Sequence, residues 1–260
     1  MTTRRNFLKN SGLATSALIV AQPLQLIANT DTSNNLGLTN NTLSILYSGN
    51  SAASHFEQCN ASSSVEKVAG NAVFLNVSHT NESLLQSSPL IASQGYHAVL
   101  AHEADEVVLQ QTLANKALFV NAASSSGAME PVRIIYAGKV KIGIIGTSGS
   151  TNKNGTASLS TINRFAQRLK EERQCNLVIC ISSLGFKNKN KVDDCTLATQ
   201  SEHIDVVITS NNDTAVPATV LLNKNGHEVL IDNAPVVASY KKIDIKFNER
   251  GEKQMIQFVA

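Results

Sequence analysis

Lys139-Val-Lys-Ile-Gly-Ile-Ile145, then Ser158 to Arg173, then Leu177-Val-Ile-Cys-Ile181, is the stretch that sets the fold class. The first and last runs are apolar, rich in Val and Ile and short, which is how buried strands read. The middle segment places Leu159, Ile162, Phe165, Ala166 and Leu169 on one helical face, with Arg164, Arg168, Lys170 and Glu171 on the other. Strand, helix, strand in that order predicts an α/β core.

Working outward, Val132-Arg-Ile-Ile-Tyr136 precedes the first run and is joined to it by Ala137-Gly138, a hairpin turn. Further strands are expected at Leu43–Tyr47, Ala72–Val77, Tyr96–Ala101, Leu118–Asn121, Val206–Thr209, Thr219–Leu222, Glu228–Ile231 and Lys242–Phe247. A second helix is expected over Glu103 to Asn115. Ala218 to Val259 reads as antiparallel hairpins turning at Asn225-Gly226 and Arg250-Gly251. Asn29 to Asn41 is rich in Asn, Thr and Ser and reads as a flexible linker, 29–41, ahead of one domain over 42–260. No internal repeat is present.

Composition narrows the function. Of 260 residues, 42% are hydrophobic and 16% charged, so the chain can bury a core. The formal net charge is +2, which argues against a nucleic-acid polymer as partner. Trp is absent and aromatics are 5%, which argues against stacking sugars or bases. Four cysteines, Cys59, Cys175, Cys180 and Cys195, are too few for a disulfide scaffold. Cys175 and Cys180 flank an apolar run and read as packing residues.

The first residues carry an address. Thr3-Arg4-Arg5-Asn6-Phe7-Leu8-Lys9 resembles the twin-arginine export signal of bacteria, with Arg4 and Arg5 as its signature pair. The apolar stretch from Ser11 to Ile27 is broken by Gly12, Thr15, Ser16, Gln22 and Pro23. It falls short of the ~20 residues of a spanning helix, so a stable membrane span is not expected. Residues 1–28 are expected to be a signal peptide, although Leu26 is large for its position before a cut after Ala28. Without Arg4, Arg5 and Lys9, 19 basic residues face 20 acidic ones and the net charge becomes −1. A periplasmic or otherwise extracytoplasmic location follows. Export in the folded state makes an obligatory disulfide set less expected.

From Leu43 to about Val237, three quarters of the chain, the sequence resembles the N-terminal catalytic domain of the bacterial 5′-nucleotidase group of calcineurin-like metallophosphoesterases. Leu43-Ser-Ile-Leu-Tyr-Ser-Gly-Asn50 is similar to the strand that runs into D-x-H. Val73-Phe-Leu-Asn-Val-Ser-His79 is similar to the strand ending in G-D. Gly95-Tyr-His-Ala-Val-Leu-Ala-His-Glu-Ala-Asp105 is similar to the G-Y-D-A block that leads to G-N-H-E. Lys141-Ile-Gly-Ile-Ile-Gly146 is similar to the K-I-G-x-I-G strand. Leu177-Val-Ile-Cys-Ile-Ser-Ser-Leu-Gly185 and Ile204-Asp-Val-Val-Ile-Thr209 are similar to the strands that reach S-H-x-G and G-H-x-H. The resemblance implies a four-layer α/β/β/α sandwich. It also implies two metal ions about 3.5–4 Å apart at strand ends, held by Asp, His and Asn.

The ligand positions depart from that pattern. Asn50 stands for the first Asp and Ala52 for its His partner; His79 stands for the bridging Asp. Ser183 replaces the His of S-H-x-G, and Asn211 and Asp213 take the two His of G-H-x-H. Ungapped, His102 and Glu103 fall on Gly and Asn; with a two-residue deletion they retain the family's His-Glu. Neutral Asn, Ser and Ala do not supply the charge that offsets dehydrating two divalent cations. An intact two-metal hydrolase is therefore not expected, and no residue is assigned a catalytic role.

Each single residue also has a plainer reading. His79 reads as a strand-end histidine or as a substituted ligand. His102, Glu103 and Asp105 read as the polar start of a helix or as holders of one metal. Asn211-Asn212-Asp213 reads as a turn or as oxygen ligands. Asp193 and Asp194 read as a solvated loop face, and His55, His97, His203 and His227 are assigned nothing. Gly143, Gly146 and Gly149 fit no phosphate loop, and Ser182-Ser183 is not a nucleophile elbow.

The expectation is an exported, catalytically degenerate metallophosphoesterase-like protein that binds or interacts. A separate protein would supply the C-terminal substrate domain that many such relatives carry. The alternative is a phosphoesterase with a rearranged site drawn from Asn50, His79, His102, Glu103, Asn211 and Asp213, loaded with Mn, Zn, Fe or Mg. A third reading is a periplasmic binder of a small molecule.

Overall fold

The computed structural model describes residues 35–36, 41–49, 72–77, 96–102, 109, 118–124, 129–148, 158–186, 192–210, 217–235 and 240–259. Two mixed sheets lie face to face. The first runs β1 (Asn35–Leu36), β6 (Val132–Ala137), β7 (Val140–Thr147), β8 (Leu177–Ser182), β9 (Val206–Thr209), β11 (Glu228–Asn233), β10 (Thr219–Leu222). The second runs β13 (Lys253–Val259), β12 (Lys241–Phe247), β2 (Thr42–Ser48), β3 (Ala72–Asn76), β4 (Ala98–Leu100), β5 (Phe119–Val120). Strands β7, β8, β9 and β11 are mutually parallel, as are β2, β3, β4 and β5.

The two-residue period of a strand sends alternate side chains to opposite faces, and this divides the apolar residues into three cores. Leu43, Ile45, Leu75, Ile142, Ile144, Ile179, Ile181, Ile208, Ile243 and Ile245 fill the space between the sheets. Ile145, Val178, Cys180, Val207 and Ile231 face outward from the first sheet and meet Ile162, Ala166, Leu169, Leu197 and Ala198 of two helices. Leu46, Phe74, Val99 and Phe119 face outward from the second sheet and meet Leu109. Leu109 is the described residue of the helix expected over Glu103 to Asn115, and it is helical. The layered α/β sandwich expected from the sequence is the observed architecture.

Helix α1 (Leu159–Gln167) starts at Ser158, whose hydroxyl accepts from the Thr161 amide at 3.2 Å. It continues as a wider π-helical turn, Arg168–Glu172, closed by the Arg173 amide on the Arg168 carbonyl at 2.9 Å. Helix α2 (Asp194–Gln200) corrects the reading of Asp193 and Asp194 as a solvated loop. The Asp193 carboxylate accepts from the Thr196 amide at 2.7 Å and caps the helix. Asp194 is wholly buried. The hairpin turn also shifts by one residue: Ala137 is strand, and Gly138-Lys139 make the turn, with Gly138 at φ +57°. Within the expected linker 29–41, Asn35–Leu36 pairs in parallel with Tyr136 and Ala137 as an edge strand. Cys175 and Cys180 are buried thiols, as expected of packing residues.

Two further features lock the sandwich. Gly146 of β7 passes so close to β5 that a Cβ there would sit 2.2 Å from the Val120 carbonyl oxygen. At the opposite end, Asp205 accepts from Lys170 at 2.7 Å, from Lys253 at 2.9 Å and from the Val178 amide at 2.8 Å, tying the π-helical turn, β13 and β8 together. Burial alone would raise its carboxyl, but the two lysines hold it below the ordinary range. No helix among the described residues is long and apolar enough to cross a membrane.

Candidate functional site

Both sets of parallel strands end on one rim. There the Asn121 amide group, after β5, donates to the Ser148 hydroxyl, after β7, at 2.9 Å. Tyr47 near the end of β2 donates to Asp232 near the end of β11. Open α/β sheets place ligands beyond the carboxyl ends of their strands, so this rim is the candidate site.

Side chains on the rim follow from strand register. Thr147, Ser182, Thr209 and Asn233 are paired across β7, β8, β9 and β11, and the period of two puts all four on the outward face. All four are buried. One residue further, the Ser183 amide donates to the Thr147 carbonyl at 3.0 Å and the Ser210 amide to the Ser182 carbonyl at 2.8 Å, so the ladder extends past the strands. From the second sheet, Ser48, Asn76 and Asn121 are likewise buried at the strand ends. The described rim is thus lined with hydroxyls and amides.

Its carboxylates are engaged. The inward-facing Asp232 accepts from Tyr47 and, at 2.9 Å, from the Lys241 ammonium, which also donates to the Asn233 carbonyl at 2.7 Å. Burial and the Asp232 carboxylate push the Tyr47 phenol far up, so it stays a donor. Asp194 lies behind the outward row, where Ser182 donates to it. Burial pushes its carboxyl up to about 6, against the opposing pull of the Ser182 and Thr209 hydroxyls.

Of the six candidate ligands, His102 is placed, half-buried and two residues past β4 on the rim. Asn50, His79, Glu103, Asn211 and Asp213 lie outside the described residues, as do Arg4 and Arg5. Ser183, at the S-H-x-G position, is half-buried on the rim. His97, given no role from sequence, is structural: its Nδ1 accepts from the Phe74 amide at 3.0 Å, and its own amide donates to the Phe74 carbonyl at 2.8 Å. Burial and the nearby Arg133 charge push it down to about 4, so it is neutral at pH 7.

The row Thr147–Ser182–Thr209–Asn233 escaped the sequence reading. Its signal was there: each of these polar residues closes an apolar strand. Among the described residues no group of three or more His, Cys, Asp or Glu is placed to hold a metal. The described hydroxyls and amides, with Asp232 already paired to Lys241, do not by themselves fit a dinuclear divalent centre, which needs several anionic or imidazole ligands.

The fold is found in solved structures. The sulfate thiohydrolase SoxB of Thermus thermophilus, solved in complex with glycerol, superposes with a TM-score of 0.52 at 16% identity, over 80% of this chain and 41% of SoxB. A hypothetical protein, also from Thermus thermophilus, matches with a TM-score of 0.51 at 11% identity, over 84% of this chain and 98% of its own. This chain therefore spans well under half of SoxB. No family model and no curated protein matches the sequence. The class that the fold defines is a metallophosphoesterase-like α/β sandwich.

Proposed function

We propose that this is an exported, metallophosphoesterase-like protein that binds at its strand-end rim without hydrolysing phosphoesters. The observation that carries the reading is the rim itself: Ser48, Asn76, Asn121, Thr147, Ser148, Ser182, Thr209, Ser210 and Asn233 are hydroxyls and amides where the fold class concentrates charged metal ligands. The sequence supports it, with Asn50, Ala52, Ser183 and Asn211 at ligand positions of the pattern it resembles. These buried groups hydrogen-bond in both directions and carry no formal charge, which suits recognition rather than Lewis-acid chemistry.

Export by the twin-arginine route, signalled by Arg4 and Arg5, places this role outside the cytoplasm. A separate polypeptide supplying a C-terminal substrate domain, as the sequence resemblance implies, is part of the proposal.

The test uses the full chain, purified from the exported fraction and supplied with Mn, Zn, Fe or Mg in turn. Bis(p-nitrophenyl) phosphate and nucleoside monophosphates should not turn over. Thermal stabilisation by a nucleotide that is recovered intact would support binding. Metal-dependent turnover that is lost in His79→Ala would overturn the proposal and restore a rearranged phosphoesterase.

A further inference from the structure

The two sheets are unequal on one side. Val120 of β5 lies against Gly146 of β7, and Tyr47 of β2 and Lys241 of β12 both reach Asp232 of β11. The next strands outward, β13 of the second sheet and β10 of the first, therefore edge the same side of the sandwich. Val220 pairs with Leu230 and Leu222 with Glu228, and Leu230 belongs to the core between the sheets. The period of two thus turns Val220, Leu222 and Glu228 toward the second sheet. Yet Val220 is 52% and Leu222 62% exposed, and Glu228 is exposed as well. Phe258 pairs with Ile243 of the same core and is 38% exposed. The strands diverge: Lys253, at the start of β13, meets Asp205 just before β9, so β11 and β10 extend past the edge of the second sheet there. Apolar side chains left open on the inner face of a sandwich mark an interaction surface.

The free edge of β13 shows what covers that surface. Past a bulge at Gln254, Met255–Val259 pairs with β12 in unbroken register. Gln254 to Phe258 carries no charge, proline or glycine of the kind that blunts natural edge strands. We propose that β13 accepts one extended segment of another polypeptide as a seventh strand of its sheet, lying over β11 and β10. The backbone of the segment hydrogen-bonds to the free edge, and its apolar side chains, at alternate positions, cover Val220, Leu222 and Phe258. A basic residue at one end of the segment meets the Glu228 carboxylate. A second copy offering its own β13 does not fit. The inner face of that strand is already packed, Ile256 against the core and Lys253 on Asp205, and it would bring its own first sheet into the space before Val220 and Leu222. The surface lies on the open side of the sandwich and does not depend on the rim's ligand.

The probe is a fluorescein-labelled synthetic peptide that alternates valine with threonine and ends in lysine, titrated with the full chain and read by anisotropy. Binding should saturate. It should weaken at least about tenfold when alternate peptide amides are N-methylated, and equally in Leu222→Lys or Val220→Lys, whose exposed positions leave the fold intact. Met255→Lys, on the outer face of β13, should bind as the unaltered chain does. No saturable binding, or binding undiminished in Leu222→Lys and Val220→Lys, would overturn the proposal. So would a dimer of the chain alone that Leu222→Lys disperses in sedimentation, since a second copy would then own the surface.

Discussion

Acid should weaken this protein through His97 before most of its carboxylates titrate. The imidazole is 6% exposed and stands between β3 and β4, with its ring stacked on Phe74 at 6.1 Å. Its Nδ1 is an acceptor for the Phe74 amide, so protonation at Nδ1 replaces a hydrogen bond with two opposed donors. Burial and Arg133 together lower it from 6.5 to about 4. A group depressed in the folded state is protonated first in the unfolded chain, so stability is full above about 6.5 and falls as pH drops toward 4. Linkage over that interval gives a loss of about 3 kcal/mol by pH 4. For a domain of this size that is roughly 6–12 °C in Tm. Urea unfolding from pH 7.5 to 4 measures it, with His97→Asn as the control, because the Asn Oδ1 can accept from the Phe74 amide and does not titrate. The two stability curves should converge by about 3 kcal/mol as pH falls; parallel curves would refute this account of His97.

Other substitutions test the packing. Gly146→Ala should destabilise by at least ~1–3 kcal/mol in urea, since its methyl meets a backbone carbonyl that cannot rotate away. Asp205→Asn should cost about 3 kcal/mol by the same assay, because it removes one carboxylate from two half-buried lysines. Tyr47→Phe should cost about 1–3 kcal/mol by leaving the buried Asp232 without its phenolic donor, and calorimetry would show the lowered Tm.

The sequence is a good guide to elements and a poor one to meetings between them. Leu177–Ile181 and Ile142–Gly146 are unbroken apolar runs because both faces of each strand are covered, and that signal is local. Ser158 and the spacing of Ile162, Ala166 and Leu169 announce α1 in the same way. The Asp193-Asp194 pair misleads because charge suggests solvent, whereas one carboxylate caps a helix whose Leu197 and Ala198 are buried and the other lies under it. The polar row and the Tyr47–Asp232 contact, 185 residues apart in sequence, arise from register and sheet packing, which no window of residues contains. For the site, resemblance supplied the positions and chemistry supplied the doubt about metals: Ser183 sits on the rim where the pattern has His.

The central claim is that this rim does not hold a pair of divalent ions. Equilibrium dialysis of the purified exported chain against manganese, followed by elemental analysis, addresses it directly. The account requires fewer than one firmly held ion per chain. Two ions per chain, retained through gel filtration, would contradict it.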